Sequence, residues 1–218
     1  MKTEIKKFQT VGRGSLILLL ILTFLMLGGC FNPLSGPKDT VVTVRLAGSG
    51  GGRAICFPGD PYTEADIDYT VTFTNTGSKS VIQAEVVKSS DSTSATARIF
   101  PGLWKIEVTA RLAAQPNAIY ALAWETKNIQ HSETFTIIMK RPVTIQFDSK
   151  GGSSVPDQII PDGSLVTRPA NPTLSGFVFD NWYTDDGAFL NLFDFSAPVS
   201  YTNSPYILYA KWVEVDEE

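Results

Sequence analysis

Along residues 40–141, apolar and polar residues alternate in one segment after another, and this pattern constrains the fold more than any other feature of the chain. An alternation with period two is typical of a β-strand that buries one face and exposes the other to water. The clearest segments are residues 42–46, 67–73, 104–112 and 135–139. Convincing stripes with the 3.6-residue period of an amphipathic helix do not occur. The pattern therefore predicts a mainly β protein.

Turn-forming residues separate these segments. Weaker strands are expected within residues 81–87, 95–99 and 119–124, and turns rich in Pro, Gly or Asn at residues 58–61, 75–77, 101–102 and 115–117. About seven strands in about a hundred residues favour a β-sandwich of two packed sheets. The segment from Phe100 to Val108, where a Pro-Gly turn leads into alternating apolar residues, resembles a strand entry in immunoglobulin-like and prealbumin-like bacterial surface modules.

Residues 142–213 differ from the preceding part in composition and pattern, with shorter predicted strands and more glycine, proline and aromatic residues. Three motifs follow in order: VTIQFDSKGG at 143–152, GFVFDNWY at 176–183 and LYAKW at 208–212. In order and spacing they resemble the Listeria–Bacteroides repeat, the B-repeat type of module in internalin-like surface proteins. Ile145-Gln146, Phe177 and Asn181 depart mildly from that pattern. The resemblance implies a small β-grasp-like fold and a surface, adhesion or spacer role without enzymatic activity.

Seven residues of this second part are expected to form its hydrophobic core, because aromatic side chains remove large areas from water. They are Phe147, Phe177, Phe179, Trp182, Leu208, Ala210 and Trp212. The alternative is that Trp182, Tyr183 and Tyr209 form an exposed platform on which a sugar stacks. Aromatic residues at strand spacing are more often buried, so the core interpretation is preferred.

The beginning of the chain has the pattern of an export signal. Residues 1–13 hold four basic residues and one acidic residue, and an apolar run follows over residues 16–27. About eleven apolar positions suit a secretory signal and fall short of the roughly 20 that a membrane-spanning helix needs. The run ends in Leu27-Gly28-Gly29-Cys30, which resembles the lipobox of bacterial lipoproteins. The resemblance implies cleavage after Gly29 and a lipid anchor, with acyl chains such as palmitate, at Cys30.

The same resemblance predicts the location of the protein. In lipoproteins an Asp after the lipidated cysteine can cause retention in the inner membrane, whereas Cys30 is followed by Phe31. An outer membrane is therefore favoured over the inner one, if the organism has one. An ordinary signal peptide that happens to precede a cysteine, and an uncleaved N-terminal helix, are the alternatives.

Charge and cysteine content exclude several classes of protein. Cleavage after Gly29 would change the net charge from −4 to −7. An acidic exported protein is a poor candidate for binding nucleic acid or anionic lipid surfaces. The chain has two cysteines, so a disulfide framework is excluded if Cys30 carries lipid. Cys56 lies in an apolar run and is expected to be a buried thiol.

Residues with catalytic, metal-binding or cofactor-binding potential are sparse. The single histidine, His131, lies in a polar stretch, and a pairing with Cys56 is the one nucleophile–base arrangement left open. The glycine-rich loop at residues 48–52 has no lysine and hydroxyl residue after it, so it is not a phosphate-binding loop. Three acidic residues near one turn lack the ligand spacing of a known calcium loop: Asp180, Asp185 and Asp186. We therefore predict no catalytic residues, no metal site and no cofactor.

Five parts are predicted along the chain. They are a leader (1–29), a tether (30–39), an immunoglobulin- or prealbumin-like β-sandwich (40–141), a β-grasp-like repeat module (142–213) and an acidic tail (214–218). The short connection at residues 139–143 predicts that the two modules are joined end to end with little hinge motion.

The predicted function is that of a lipid-anchored cell-envelope protein with a non-catalytic binding, adhesion or surface-presentation role. Its partner would be a protein or polysaccharide in the envelope or on a host surface. One alternative is a carbohydrate-binding module that uses exposed aromatic residues, with Trp124 and Trp182 as candidates. A purely structural spacer, and an envelope hydrolase that depends on His131, are the others.

Overall fold

The computed structural model describes residues 39–48, 56–89 and 92–215. The leader, Cys30 and nearly all of the tether lie outside these residues, as do most of the glycine-rich loop and the last residues of the acidic tail. Within the described parts the protein is mainly β, as predicted, and its only helical segments are two short 3₁₀ turns.

The described residues form twelve strands and two 3₁₀ turns. They are β1 (Thr40–Gly48), η1 (Glu64–Asp66), β2 (Ile67–Asn75), β3 (Val81–Gln83), β4 (Glu85–Lys88), β5 (Thr93–Ile99), β6 (Gly102–Leu112), β7 (Gln115–Ile129), β8 (Glu133–Met139), β9 (Pro142–Asp148), β10 (Gln158–Pro161), β11 (Phe177–Tyr183), η2 (Tyr201–Asn203) and β12 (Tyr206–Glu214).

The first eight strands form two four-stranded sheets. One has the order β4-β5-β1-β8 and the other β3-β2-β6-β7. All neighbours are antiparallel except β1 and β8, which run parallel with Val42 opposite Glu133 and Gly48 opposite Met139. The chain passes from one sheet to the other between β3 and β4, at Ala84. The predicted β-sandwich is confirmed.

The core of the sandwich consists of every second residue of the strands, as the alternation predicted. In β6, for example, Trp104, Ile106, Val108 and Ala110 are buried. The Trp104 indole N–H donates a hydrogen bond to the carbonyl of Phe100 at 2.9 Å, so its polar atom is satisfied inside the core. Each fully buried aliphatic or aromatic side chain of this kind stabilises the fold by roughly 1.5–3 kcal/mol.

The turn predicted at residues 115–117 is wrong. The turn lies at residues 113–114, and β7 begins at Gln115 and is much longer than expected. Leu112 pairs with Gln115 and Arg111 with Ile119, so the intervening residues bulge out of the ladder. Proline has no N–H to donate to a neighbouring strand, and a bulge is one of the few places where a strand accepts it.

The last four strands form a separate sheet with the order β10-β9-β12-β11. Its two central strands, β9 and β12, are parallel, with Tyr206 opposite Ile145, and its two edge strands are antiparallel to them. A mixed sheet whose first and last strands are parallel neighbours matches the strand order of the β-grasp-like fold that was predicted, but within the described residues no α-helix packs on it.

Trp182 is the centre of the C-terminal core. Its side chain is 0% exposed, and its ring lies 4.9 Å from that of Phe147 and 5.4 Å from that of Phe179. The core interpretation is thus confirmed for Trp182 but wrong for Phe177, which is 41% exposed. Between Phe179 and Asn181 the strand register shifts, and this bulge turns both Phe179 and Trp182 inward.

Trp212 closes this core against the turn that follows β9. Its indole N–H donates a hydrogen bond to the carbonyl of Ser149 at 2.9 Å, and its ring lies against Gly152. A β-carbon built on Gly152 would come within 2.4 Å of the indole ring. The glycine at this position therefore leaves the space that the indole occupies.

The two cores share no residue, and the chain crosses between them at residues 140–142. At this crossing the backbones of Leu122 and Lys140 exchange two hydrogen bonds of 3.0 Å. The Leu122 side chain is 5% exposed although it belongs to neither core. The middle of β7 is therefore covered where the sandwich meets the C-terminal sheet.

Candidate functional site

The structure separates the three residues of the sugar platform that was the alternative to the core interpretation. Trp182 is buried inside the C-terminal core, whereas Tyr183 and Tyr209 pair across β11 and β12, half-buried. The Nζ atom of Lys211 lies 5.2 Å from the Tyr183 ring centroid, and that of Lys150 lies 4.8 Å from the Tyr209 ring centroid. Each tyrosine ring is thus half-buried as well as covered by a lysine, and this pair does not offer an open stacking surface.

Carboxylates hold these lysines in place. Lys150 Nζ is 2.7 Å from Asp186 Oδ2, and Lys211 Nζ is 3.3 Å from Asp180 Oδ2. The carboxylate of Asp185 accepts the backbone N–H groups of Leu190 at 3.0 Å and Asn191 at 2.7 Å. These hydrogen bonds, that of Leu190 above all, lower the pKa of Asp185.

The candidate calcium ligands are therefore each engaged separately, in ion pairs or in a loop. Among the residues that the structure describes, no group of three or more His, Cys, Asp or Glu side chains is arranged to hold a metal ion.

The remaining candidates for catalysis lie in the sandwich. Cys56 is half-buried against the sandwich core, and its pKa is raised by burial first and then by nearby carboxylates. A thiol with a raised pKa is a poor nucleophile. His131 is exposed in the loop between β7 and β8, and the Oγ of Ser132 beside it accepts the backbone N–H of Val41 at 2.9 Å.

A cleft of about 320 Å³ lies where the sandwich meets the C-terminal sheet. Six residues line it: Phe57, Pro58, Lys140, Arg141, Asp162 and Tyr201. The guanidinium of Arg141 stacks between two rings, 4.2 Å from the centroid of Phe57 and 5.2 Å from that of Tyr201. One side chain thus contacts a loop of the sandwich and a turn of the C-terminal sheet.

Arg141 is also held by an ion pair. Its Nη2 lies 3.0 Å from Asp60 Oδ1, and the Tyr120 hydroxyl donates to Asp60 Oδ2 at 2.9 Å. The hydrogen bond from Arg141 is the main reason why the pKa of Asp60 is lowered. The same hydroxyl accepts the backbone N–H of Phe57 at 2.9 Å, and burial is the main cause that raises the pKa of Tyr120 to about 12. The network links Phe57 and Asp60 of this sandwich loop to Tyr120 on β7 and to Arg141.

The ion pair predicts a dependence of stability on acid. The pKa of Asp60 is lower in the folded protein than in the unfolded chain, where it is about 3.9. The ionised carboxylate therefore stabilises the fold fully above about pH 3.9, and this contribution is lost as the pH falls through the pKa of Asp60 in the folded protein. Between pH 6 and pH 3 we expect wild-type protein to lose about 1 kcal/mol more unfolding free energy than Asp60→Asn. Urea unfolding at both pH values measures this difference.

A matched control for this experiment is Asp68→Asn. The Asp68 carboxylate also pairs with a lysine, Lys88 Nζ at 3.4 Å, but its side chain is 72% exposed and exposed ion pairs contribute little. The control should follow the wild-type pH dependence. Equal acid sensitivity of wild type and Asp60→Asn would show that the Arg141–Asp60 contact contributes nothing to folding.

Another feature is the exposed aromatic ring of Trp124. The residue lies on β7, two positions after Leu122, and its side chain is 41% exposed. Glu107 is directly opposite it on β6, and Lys105 Nζ lies 5.9 Å from its ring centroid. The alternation of residues in β7 indicates which side chains face away from the sandwich core. It does not indicate that Leu122 is covered and Trp124 is left exposed to water.

The sheet order and the buried Trp182 agree with the module that the sequence motifs resemble. Residues 144–211 match the family model of the Listeria-Bacteroides repeat domain. The matched segment runs from β9 into β12 and contains the whole C-terminal sheet apart from its terminal residues. The resemblance inferred from the sequence is therefore confirmed for this part of the chain.

Two curated relatives come from Evansella cellulosilytica. One, named "Putative membrane protein", is 31% identical over 157 residues, which cover 68% of this chain and 21% of that protein. The other, named "Putative Gly-rich membrane protein", is 33% identical over 94 residues, which cover 41% of this chain and 10% of that protein. The chain thus spans about a fifth and a tenth of their lengths.

Proposed function

We propose that this chain is a lipid-anchored protein of the bacterial cell envelope with a non-catalytic binding, adhesion or surface-presentation role. The observation that carries the proposal is the Listeria-Bacteroides repeat at residues 144–211, placed behind a sandwich and a leader that ends in Leu27-Gly28-Gly29-Cys30. The resemblance of this module to internalin-type repeats favours a surface role, and the names of both relatives suit association with a membrane.

A lipid is a sufficient anchor for such a chain. Within the described residues no helix has the length and apolar character to cross a bilayer. One acyl chain holds a protein only marginally, whereas two or more, at about 0.8 kcal/mol per buried CH₂ group, hold it stably. The lipid expected at Cys30 would supply these chains, with an outer membrane favoured over an inner one.

The side-chain chemistry supports a role without catalysis. Arg141 and Asp60 form an ion pair where the sandwich meets the C-terminal sheet. Cys56 packs against the sandwich core, and the Asp185 carboxylate accepts a backbone N–H of its own loop. Each of these groups is accounted for by a structural contact. The sequence and structure together favour a protein that presents a surface over one that turns over a substrate.

The anchor is tested with two cysteine variants of the full chain in a bacterial host. Wild type and Cys56→Ser should incorporate radiolabelled palmitate and sediment with membranes, whereas Cys30→Ser should take up no label and remain in the soluble fraction. Cys56→Ser is the matched control because it removes the other cysteine of the chain. Membrane fractionation of Cys30→Ser equal to that of wild type would overturn the proposal.

A further inference from the structure

Trp124 in the sandwich is exposed, whereas the other three tryptophans of the protein are buried or half-buried. Trp104 and Trp182 are fully buried and Trp212 is half-buried with its N–H bonded, whereas Trp124 is 41% exposed. Trp124 lies on the outer face of the sheet β3-β2-β6-β7, because its neighbour Ala123 points into the core. The Trp124 ring is therefore accessible to water, although residues 120–123 just before it on β7 are buried.

Polar side chains surround this ring in fixed register. A single row across the four strands consists of Gln83, Thr72, Glu107 and Trp124, each directly opposite the next. In the adjacent row, Lys105 pairs with Thr126. Since neighbouring strands are about 4.8 Å apart, the row spans about 14 Å across the sheet. We refer to these six residues as the Trp124 face.

The charges on the Trp124 face cancel one another. Lys105 Nζ lies 2.7 Å from Glu107 Oε1, and the same ammonium lies over the Trp124 ring at 5.9 Å from its centroid, but the Trp124 side chain remains 41% exposed. The other members offer hydroxyl and amide groups only. A charged ligand would find no unpaired opposite charge on this face, so an uncharged polar ligand matches it best.

A neutral sugar ring has the chemistry that this arrangement complements. Its C–H face is apolar and can stack on an indole, while its hydroxyl groups exchange hydrogen bonds with carboxylate, amide and hydroxyl side chains around the ring. A protein partner would call for a broader apolar centre than one aromatic residue among threonines. We propose that the Trp124 face binds a neutral polysaccharide, with Trp124 as the stacking residue and Glu107, Gln83 and Thr72 as hydrogen-bonding residues.

This inference rests on the proposed binding role and gives it a ligand class. The full-length protein, extracted in a non-ionic detergent, is run through non-denaturing gels that contain mixed-linkage β-glucan, mannan, xylan or the acidic polygalacturonate. At least one of the three neutral glycans should retard the wild type, and Trp124→Ala should weaken that binding by roughly tenfold or more. Phe177→Ala is the matched control, because Phe177 is equally exposed but belongs to the C-terminal sheet.

A second variant keeps the test independent of the folding of Trp124→Ala. Thr72→Arg places a long charged side chain in the middle of the row and should also abolish retardation while preserving the circular dichroism spectrum. Retardation of both variants as strong as that of wild type, retardation by polygalacturonate alone, or none in any gel would overturn the inference. Palmitate labelling of the same preparations separates the two proposals, since labelled protein without glycan binding refutes only this one.

Discussion

Trp182→Ala should lower the unfolding free energy of the C-terminal core by about 3–5 kcal/mol, the cost of removing a large aromatic side chain from a closed interior. Trp182 is fully buried, and its ring contacts Phe147 and Phe179. The surrounding core would relax only partly into the space that the indole leaves.

Urea unfolding followed by circular dichroism measures this loss, and amide hydrogen exchange shows where it occurs. Because the two cores share no residue, protection should fall in β9–β12 and persist in β1–β8. The boundary between residues 141 and 142 is a prediction that the same data test. Loss of protection throughout both sets of strands would show that they unfold as one unit.

Two variants serve as controls for Trp182→Ala. Phe177→Ala removes an aromatic residue from the same strand, but Phe177 is 41% exposed and should cost little. Trp182→Phe should cost less than alanine, because phenylalanine keeps most of the buried aromatic volume. The Trp182 Nε1 atom has no hydrogen-bond partner among the described residues, so neither variant loses a hydrogen bond. An alanine variant as stable as the phenylalanine one would contradict the central role of this side chain.

Gly152→Ala should destabilise the C-terminal module by about 1–3 kcal/mol, the range for overfilled cores. The added methyl group would lie 2.4 Å from the Trp212 Cζ2 atom, well inside van der Waals contact. The indole cannot move away freely, because its N–H is bonded to the carbonyl of Ser149 and its ring packs edge-on against Phe179.

A double-mutant cycle with Trp212→Phe tests the origin of this effect. Phenylalanine lacks the part of the indole that meets the new methyl group, so Gly152→Ala should cost clearly less in that background. Gly77→Ala is the matched control, since its methyl group would make an ordinary contact of 3.4 Å with Asn75. The same cost of Gly152→Ala with and without the indole would rule out the steric explanation.

Local sequence patterns predicted the strands well and failed where the ladder is irregular. The alternation in residues 67–73 and 104–112 identified β2 and β6, because each buries one face against the opposite sheet. The sequence predicts a turn at Pro116, whereas the structure places this residue in a bulge at the start of β7. The register shift between Phe179 and Asn181 likewise places different aromatic residues in the core than strict alternation predicts. Alternation in the sequence does not indicate where a strand contains the extra residue of a bulge.

Contacts between distant parts of the chain were beyond sequence reasoning. Nothing in the local pattern around Arg141 indicates that it stacks between Phe57 and Tyr201, which are 84 and 60 residues away. Trp124 could be listed as an aromatic candidate, but its exposure depends on how far the C-terminal sheet covers β7. The motifs of the repeat were informative because residue types at fixed spacing identify a family even where pairing is unknown.

The parallel pairs β1–β8 and β9–β12 have a mechanical consequence. The chain enters the sandwich at Thr40 and leaves it after Met139, at the opposite end of the same sheet. It likewise enters the C-terminal sheet at Pro142 and leaves it after Glu214, at the opposite end of that sheet. Tension between Thr40 and Glu214 would load both parallel pairs in shear, so that the hydrogen bonds of each pair resist the pull together instead of opening one after another. A protein held at its beginning and pulled at its far end would transmit that force without unzipping.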